Sequence, residues 1–172
     1  MLPDPLHPAV VHFPIVLTFL LPLAAGFALW RIRRGGPVKR TWPLVILTAA
    51  ALTLSSWVAT QTGERDEDAA ERIAGDAPVE RHEEAAERFL FLTGGMLVLA
   101  GAGLLGGRAG GVLRFTAAAG ALGLVVAGAQ VGHSGGELVY RHGAAAAHAD
   151  RSLGERDASP VELGRTDRDD DD

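Results

Sequence analysis

The sequence predicts an all-α integral membrane protein, a four-helix bundle, and three observations carry that prediction. Four stretches contain no Asp, Glu, Lys or Arg: residues 8–30, 42–62, 89–107 and 115–136. Each is close to the roughly 20 residues that a helix needs to cross a hydrocarbon core of roughly 30 Å. The charges crowd into the segments between and after these runs, whereas a water-soluble domain would spread them along amphipathic helices. The later runs are also rich in small residues, such as Gly94-Gly95, Gly101-Ala102-Gly103 and Gly120-Ala121-Leu122-Gly123. Small residues let helix backbones approach closely in lipid. Helices are expected at about 8–30, 42–62, 80–107 and 112–132, in one transmembrane domain spanning residues 1–143.

The first run follows Met1-Leu2-Pro3-Asp4-Pro5, a flank with no positive residue. It is too long for the apolar core of a signal peptide, so it reads as a retained helix. The loop after it, residues 31–40, carries Arg31, Arg33, Arg34, Lys39 and Arg40 and no acid, and Arg108 and Arg114 flank the turn between runs three and four. The positive-inside rule puts both connections in the cytoplasm, with the N-terminus, the loop 63–88 and the C-terminal tail outside. The outer half of run two is polar: Thr53, Ser55, Ser56, Trp57, Thr60, Gln61 and Thr62. Hydroxyls there bond back to their own helix or stand behind a ligating imidazole; the sequence leaves both open. The outer loop 63–88 holds ten Asp/Glu against four Arg. Its last part, residues 79–90, reads as a helix leading into run three, with His82, Ala85, Ala86, Phe89 and Thr93 sharing a face. Run four closes on Gly132-His133-Ser134-Gly135-Gly136-Glu137-Leu138-Val139-Tyr140-Arg141-His142-Gly143. The tail 144–172, which ends in four aspartates, has little to bury and is expected to be disordered, so His148 receives no role.

The absence of cysteine excludes disulfides, thiolate-ligated clusters, covalent c-type haem attachment and cysteine nucleophiles. A net charge of −5 argues against a nucleic-acid partner. The histidines remain. His7, His12, His82, His133 and His142 all fall at the outer membrane level, where an imidazole is costly without a partner. His12 and His133 rank first as ligands, His82 and His142 next. His7, preceding a proline at a helix start, fits a capping or interfacial position better. Gly128 and Gly132 leave room for a flat ligand beside His133. Two chemistries fit: a haem b held by imidazoles on separate helices, or a Zn or Cu ion with help from Glu83, Glu84 and Glu137. A cofactor-free scaffold with structural histidines is the third reading. No nucleophile–base arrangement is visible. An electron-transfer or binding subunit is therefore expected rather than a stand-alone enzyme. Its partners would be the lipid bilayer, a redox protein on the outer face and, through the small-residue faces, a homo-oligomer.

The segments His7-Pro8-…-His12-Phe13-Pro14-Ile15 and Gly132-His133-…-Gly135-Gly136-…-Leu138-Val139-Tyr140-…-His142-Gly143 resemble the two ends of a bacterial membrane-protein family, the domain of unknown function 2231. The resemblance covers residues 5–143 and implies a four-helix topology. Proteins similar to it are sometimes joined to c-type cytochrome or Rieske-type domains, which implies by association a place in membrane electron transfer.

Overall fold

The computed structural model describes residues 7–143, all helix and short connections. Residues 1–6 and the acidic tail 144–172, with His148, lie outside the described residues. A short helix α1 (His7–Val10) leads into α2 (His12–Arg33). Hydrogen bonds from Val11 N–H to His7 O (3.1 Å) and from Ile15 N–H to Val11 O (3.2 Å) carry the helical path across the join. A turn α3 (Val38–Thr41) precedes α4 (Pro43–Ala74), followed by α5 (Asp76–Ala102) and α6 (Gly107–Tyr140). Four of these segments, His7–Arg33, Val38–Ala74, Asp76–Ala102 and Gly107–Tyr140, are long and apolar enough to cross a membrane.

The long helices pack in a ring, α2 against α4, α4 against α5, α5 against α6 and α6 back against α2. The buried positions set the packing angle. They run Pro14, Thr18, Leu21, Ala25, Ala28 in α2, then Val45, Ala49, Leu52, Ser56, Ala59 in α4. In α5 they include Phe89, Thr93, Met96, Ala100, and in α6 Gly110, Arg114, Ala117, Ala121, Leu124. Steps of alternating three and four average 3.5 residues, the repeat of helices packed nearly parallel with a slight left-handed twist. The interior is mostly small, while Phe13, Phe19, Phe27, Phe91, Val98 and Leu122 point outward, Phe91 at 82% exposure. In water such a surface would aggregate; in a bilayer it is the lipid contact.

Helix ends differ from the sequence expectation where charge, not backbone chemistry, set the expected boundary. The second helix passes Thr62 and continues to Ala74, because nothing between Gly63 and Ala74 breaks a helix. It stops at Gly75, whose φ of +80° lies in the left-handed region. α5 begins one residue later, so most of the expected outer loop 63–88 is a helical hairpin, closed inside by Ala69 and Val79. The third helix ends at Ala102 rather than 107, and the fourth starts at Gly107, also left-handed at φ +66°. The fourth also runs through Gly132–Gly136 to Tyr140, because the hydrogen-bonded path outlasts the apolar run.

The end bearing the basic connections is held by polar groups inside the bundle. Trp42 is fully buried and donates Nε1–H to Ala100 O at 2.7 Å. Gly103 is the only residue type that fits beside it, since an added Cβ would collide with the indole. Arg114, 8% exposed, donates Nη1–H to Gly103 O (2.6 Å) and to Leu105 O (3.3 Å). Its charge thus meets the carbonyl end of α5, where the helix dipole is negative.

Candidate functional site

The opposite end of the bundle carries the histidines, and the 3.5-residue stripes decide which of them face inward. Extended back from Pro14, the α2 stripe passes Val11 and reaches His7. Extended back from Phe89, the α5 stripe passes Ala86 and reaches His82. Continued forward, the α4 stripe reaches Gly63 and the α6 stripe reaches Gly135. These four positions meet. A Cβ added to Gly63 would stand 3.2 Å from His7 Cε1, and one added to Gly135 would stand 3.0 Å from His82 Cε1. Each imidazole is therefore seated on a glycine of the neighbouring helix. The two rings meet edge-on, with centroids 6.5 Å apart and planes at 83°.

Hydrogen bonding fixes both rings in the same tautomer. His7 Nδ1 lies 2.9 Å from Ala59 O and 3.3 Å from Thr62 Oγ1. A carbonyl oxygen only accepts, so Nδ1 carries the proton. Thr62 Oγ1 donates its own proton to Ala59 O at 2.9 Å. His82 Nδ1 lies 2.9 Å from Ser134 Oγ, and that hydroxyl donates to Val131 O at 3.0 Å, so His82 also donates from Nδ1. Both Nε2 atoms then present a bare lone pair, and among the described residues neither has a hydrogen-bond partner. A histidine that ligates a metal is held in this way, by a carbonyl or hydroxyl behind its other nitrogen.

The two halves of this arrangement are copies. His82, Thr93 and Ala100 follow His7, Thr18 and Ala25 by 75 residues; Leu124, Ser134 and Gly135 follow Leu52, Thr62 and Gly63 by 72. Thr18 and Thr93 are both buried and both bond back to their own helix. The hydroxyl–carbonyl pair Thr62–Ala59 corresponds to Ser134–Val131 by the same 72-residue step. The helix contacts are unchanged when the α2–α4 hairpin is exchanged with the α5–α6 hairpin. The bundle thus has an approximate two-fold axis along its length, with His7 and His82 on either side of it. Parallel repeats of this kind recur in membrane proteins.

Of the ligands ranked from sequence, the structure brings only His82 into this centre, and of the run-two hydroxyls Thr62 stands behind His7. His12 and His133 are exposed: His133 lies two positions from Val131 and Gly135, about 200° around the helix, and His12 one position past Val11, about 100° around it. His133 Nε2 lies 3.8 Å from Glu137 Oε1, which Arg141 also holds at 2.7 Å. His142 follows the end of α6, half-buried, with its backbone N–H on Glu137 O at 3.2 Å. Gly128 packs against Thr18 and Phe89, a helix-packing position, and Gly132 faces outward with nothing near it. Glu84 is paired with Arg88 at 2.7 Å. Among the described residues no three of His, Asp and Glu gather in one place. The run-two hydroxyls mostly bond back to their helix, as Thr53, Ser55 and Thr60 do. Ser56 Oγ alone is buried without a partner among the described residues. Helical phase, read from sequence only around His82, also selects Gly63 and Gly135 and moves His7 from last place to the inward stripe, which membrane level alone does not. Both the stripe and the 75- and 72-residue repeats were present in the sequence to find them.

Four apolar spans, a small-residue interior and a fastened polar end define a four-helix integral membrane protein. The chain belongs to the family described as "Predicted membrane protein (DUF2231)", which matches residues 3–148. Comparison with curated proteins and with solved structures finds no match.

Proposed function

We propose that this membrane protein holds one histidine-ligated metal centre between His7 and His82 and serves a partner protein at that end of the bundle. The observation that carries this reading is the pair itself: two imidazoles on separate helices, each donating from Nδ1 to a fixed acceptor, each leaving Nε2 free, 6.5 Å apart. The loop charges orient this end outward in a bacterial inner membrane, because the basic residues 31–40 and Arg108 belong to the other end. The acidic helical hairpin, residues 64–87, then stands beside the centre and suits a basic docking partner.

Haem b in an electron-transfer subunit is the second reading, and one observation favours it. The axial imidazoles of a bis-histidine haem lie about 6–6.5 Å apart between centroids, the separation found here. A porphyrin also needs a flat apolar slot, and the glycines on this stripe are filled: Gly63 and Gly135 by the imidazoles, Gly128 by Thr18 and Phe89. The residues present fit a single ion better than a macrocycle.

The test is the protein purified in mild detergent, with visible spectra before and after dithionite and a metal analysis of the same sample. A stoichiometric transition metal lost in His7→Ala and His82→Ala supports the proposal. A Soret band with sharp reduced α and β bands would transfer it to haem. A colourless, metal-free protein after supplementation with both would leave the scaffold reading.

A further inference from the structure

We infer that the ion held between His7 and His82 is monovalent copper, bound by two imidazole nitrogens on the approximate two-fold axis. This rests on the reading of the two residues as a ligand pair and deepens it.

The first argument is geometric. Two imidazoles sharing an ion at metal–nitrogen distances of about 2.0 Å have centroids roughly 5 Å apart at a tetrahedral angle and roughly 6.3 Å apart when collinear. The observed 6.5 Å slightly exceeds the collinear value, so an ion shared at that separation needs both Nε2 atoms along the line between the rings, which only a two-coordinate linear site provides. Zinc prefers tetrahedral sites with four ligands, whereas a filled-shell monovalent copper ion accepts two ligands in a line.

The second argument is electrostatic. The centre lies at the head of an apolar bundle and supplies two neutral donors. Of the three carboxylates read from sequence as helpers, Glu84 is paired with Arg88 and Glu137 with Arg141, while Glu83 stands among the other acids of the hairpin. With two neutral donors the ion keeps its whole charge, one unit for a monovalent ion against two for a dication, and the lower charge is cheaper to hold at the head of an apolar bundle. Symmetry supplies the third argument. Corresponding hydroxyl–carbonyl pairs, Thr62–Ala59 and Ser134–Val131, stand behind the two rings, His7 leaning on the carbonyl of its pair and His82 on the hydroxyl. Equal donors on both sides of an axis are what a two-coordinate ion on that axis requires. Binding releases no proton, since each ring keeps its Nδ1–H and gives only the Nε2 lone pair, and the oxidation state of copper does not change.

The experiment titrates the full chain in detergent with Cu(I) under anaerobic conditions, against the chelator bathocuproine disulfonate, followed by X-ray absorption at the copper edge. One Cu(I) per chain with two nitrogen ligands at about 2.0 Å is expected. His7→Ala and His82→Ala should each weaken binding about 100-fold or more, while His12→Ala and His133→Ala change it less than about threefold. Ser134→Ala should weaken it roughly 10-fold, because it removes the acceptor behind His82 Nδ1, and Thr62→Val less, because Ala59 O still accepts from His7 Nδ1. These two variants also serve where a histidine variant fails to fold, as judged by its circular dichroism. Cu(I) retained by the His7→Ala/His82→Ala double variant overturns the inference, as does a three- or four-ligand absorption spectrum. If Zn(II) or haem binds instead and needs both histidines, copper is wrong and the ligand pair stands. If Cu(I), Zn(II) and haem all fail to bind, both fall.

Discussion

Replacing Gly135 by alanine should separate a histidine seated on α6 from one merely near it. The new Cβ would stand 3.0 Å from His82 Cε1, roughly 0.5–1 Å inside the usual carbon–carbon separation. The ring cannot slide away freely. Ser134 Oγ holds its Nδ1 at 2.9 Å, and His7 lies across from it. Overpacking of this kind costs about 1–3 kcal/mol, against about 0.8–1 kcal/mol returned by exchanging a helical glycine for alanine. Gly132→Ala, on the same helix with nothing within 4 Å, keeps that return and meets no obstruction. The two variants should therefore differ by about 1–3 kcal/mol in unfolding free energy, Gly132→Ala being the more stable. Unfolding in mixed micelles with rising dodecyl sulfate, followed by circular dichroism, measures the difference. Equal stability of the two variants, within about 0.5 kcal/mol, would refute the seating of His82 on Gly135 and with it the site geometry.

At the other end, Arg114→Leu strips Gly103 O and Leu105 O of their donor and should lower stability by about 2–4 kcal/mol in the same assay, with Arg114→Lys recovering less than half. Trp42→Phe keeps most of the buried volume and loses the bond to Ala100 O, for an expected cost of about 1–2 kcal/mol. Gly103→Ala should cost more than Trp42→Phe, because it displaces the whole indole rather than one hydrogen bond; the reverse order would contradict the packing there. A topology reporter at Gly36 should read cytoplasmic and one at Gly75 external, and inverted readings would turn the histidine end inward.

Much of the fold was legible because lipid imposes a simple rule: a span must be apolar and about 20 residues long. Charge-free runs therefore located all four helices. Their ends were not legible from charge, since α4 and α5 leave the membrane without losing helical hydrogen bonds and stop only at Gly75. The site was legible as a level but not as a direction. His12 and His133 lie at the right height, yet helical phase turns both away from the axis. His7 looked like a capping residue beside Pro8, but Val11 and Pro14 set it on the inward stripe. Gly63 and Gly135 carried no chemical signal alone. Their meaning comes from the imidazoles they admit.

Gly75 is the single residue separating α4 from α5, and it is also where one repeat hands over to the next. Each hairpin arrives there already latched by its own histidine, His7 onto Ala59 or His82 onto Ser134, with no help from the other. The protein is in this sense a dimer written on one chain. Cutting it at Gly75 separates two hairpins that complete each other at both ends: Trp42 of one donates to Ala100 O of the other, and at the opposite end each presents an imidazole to its counterpart.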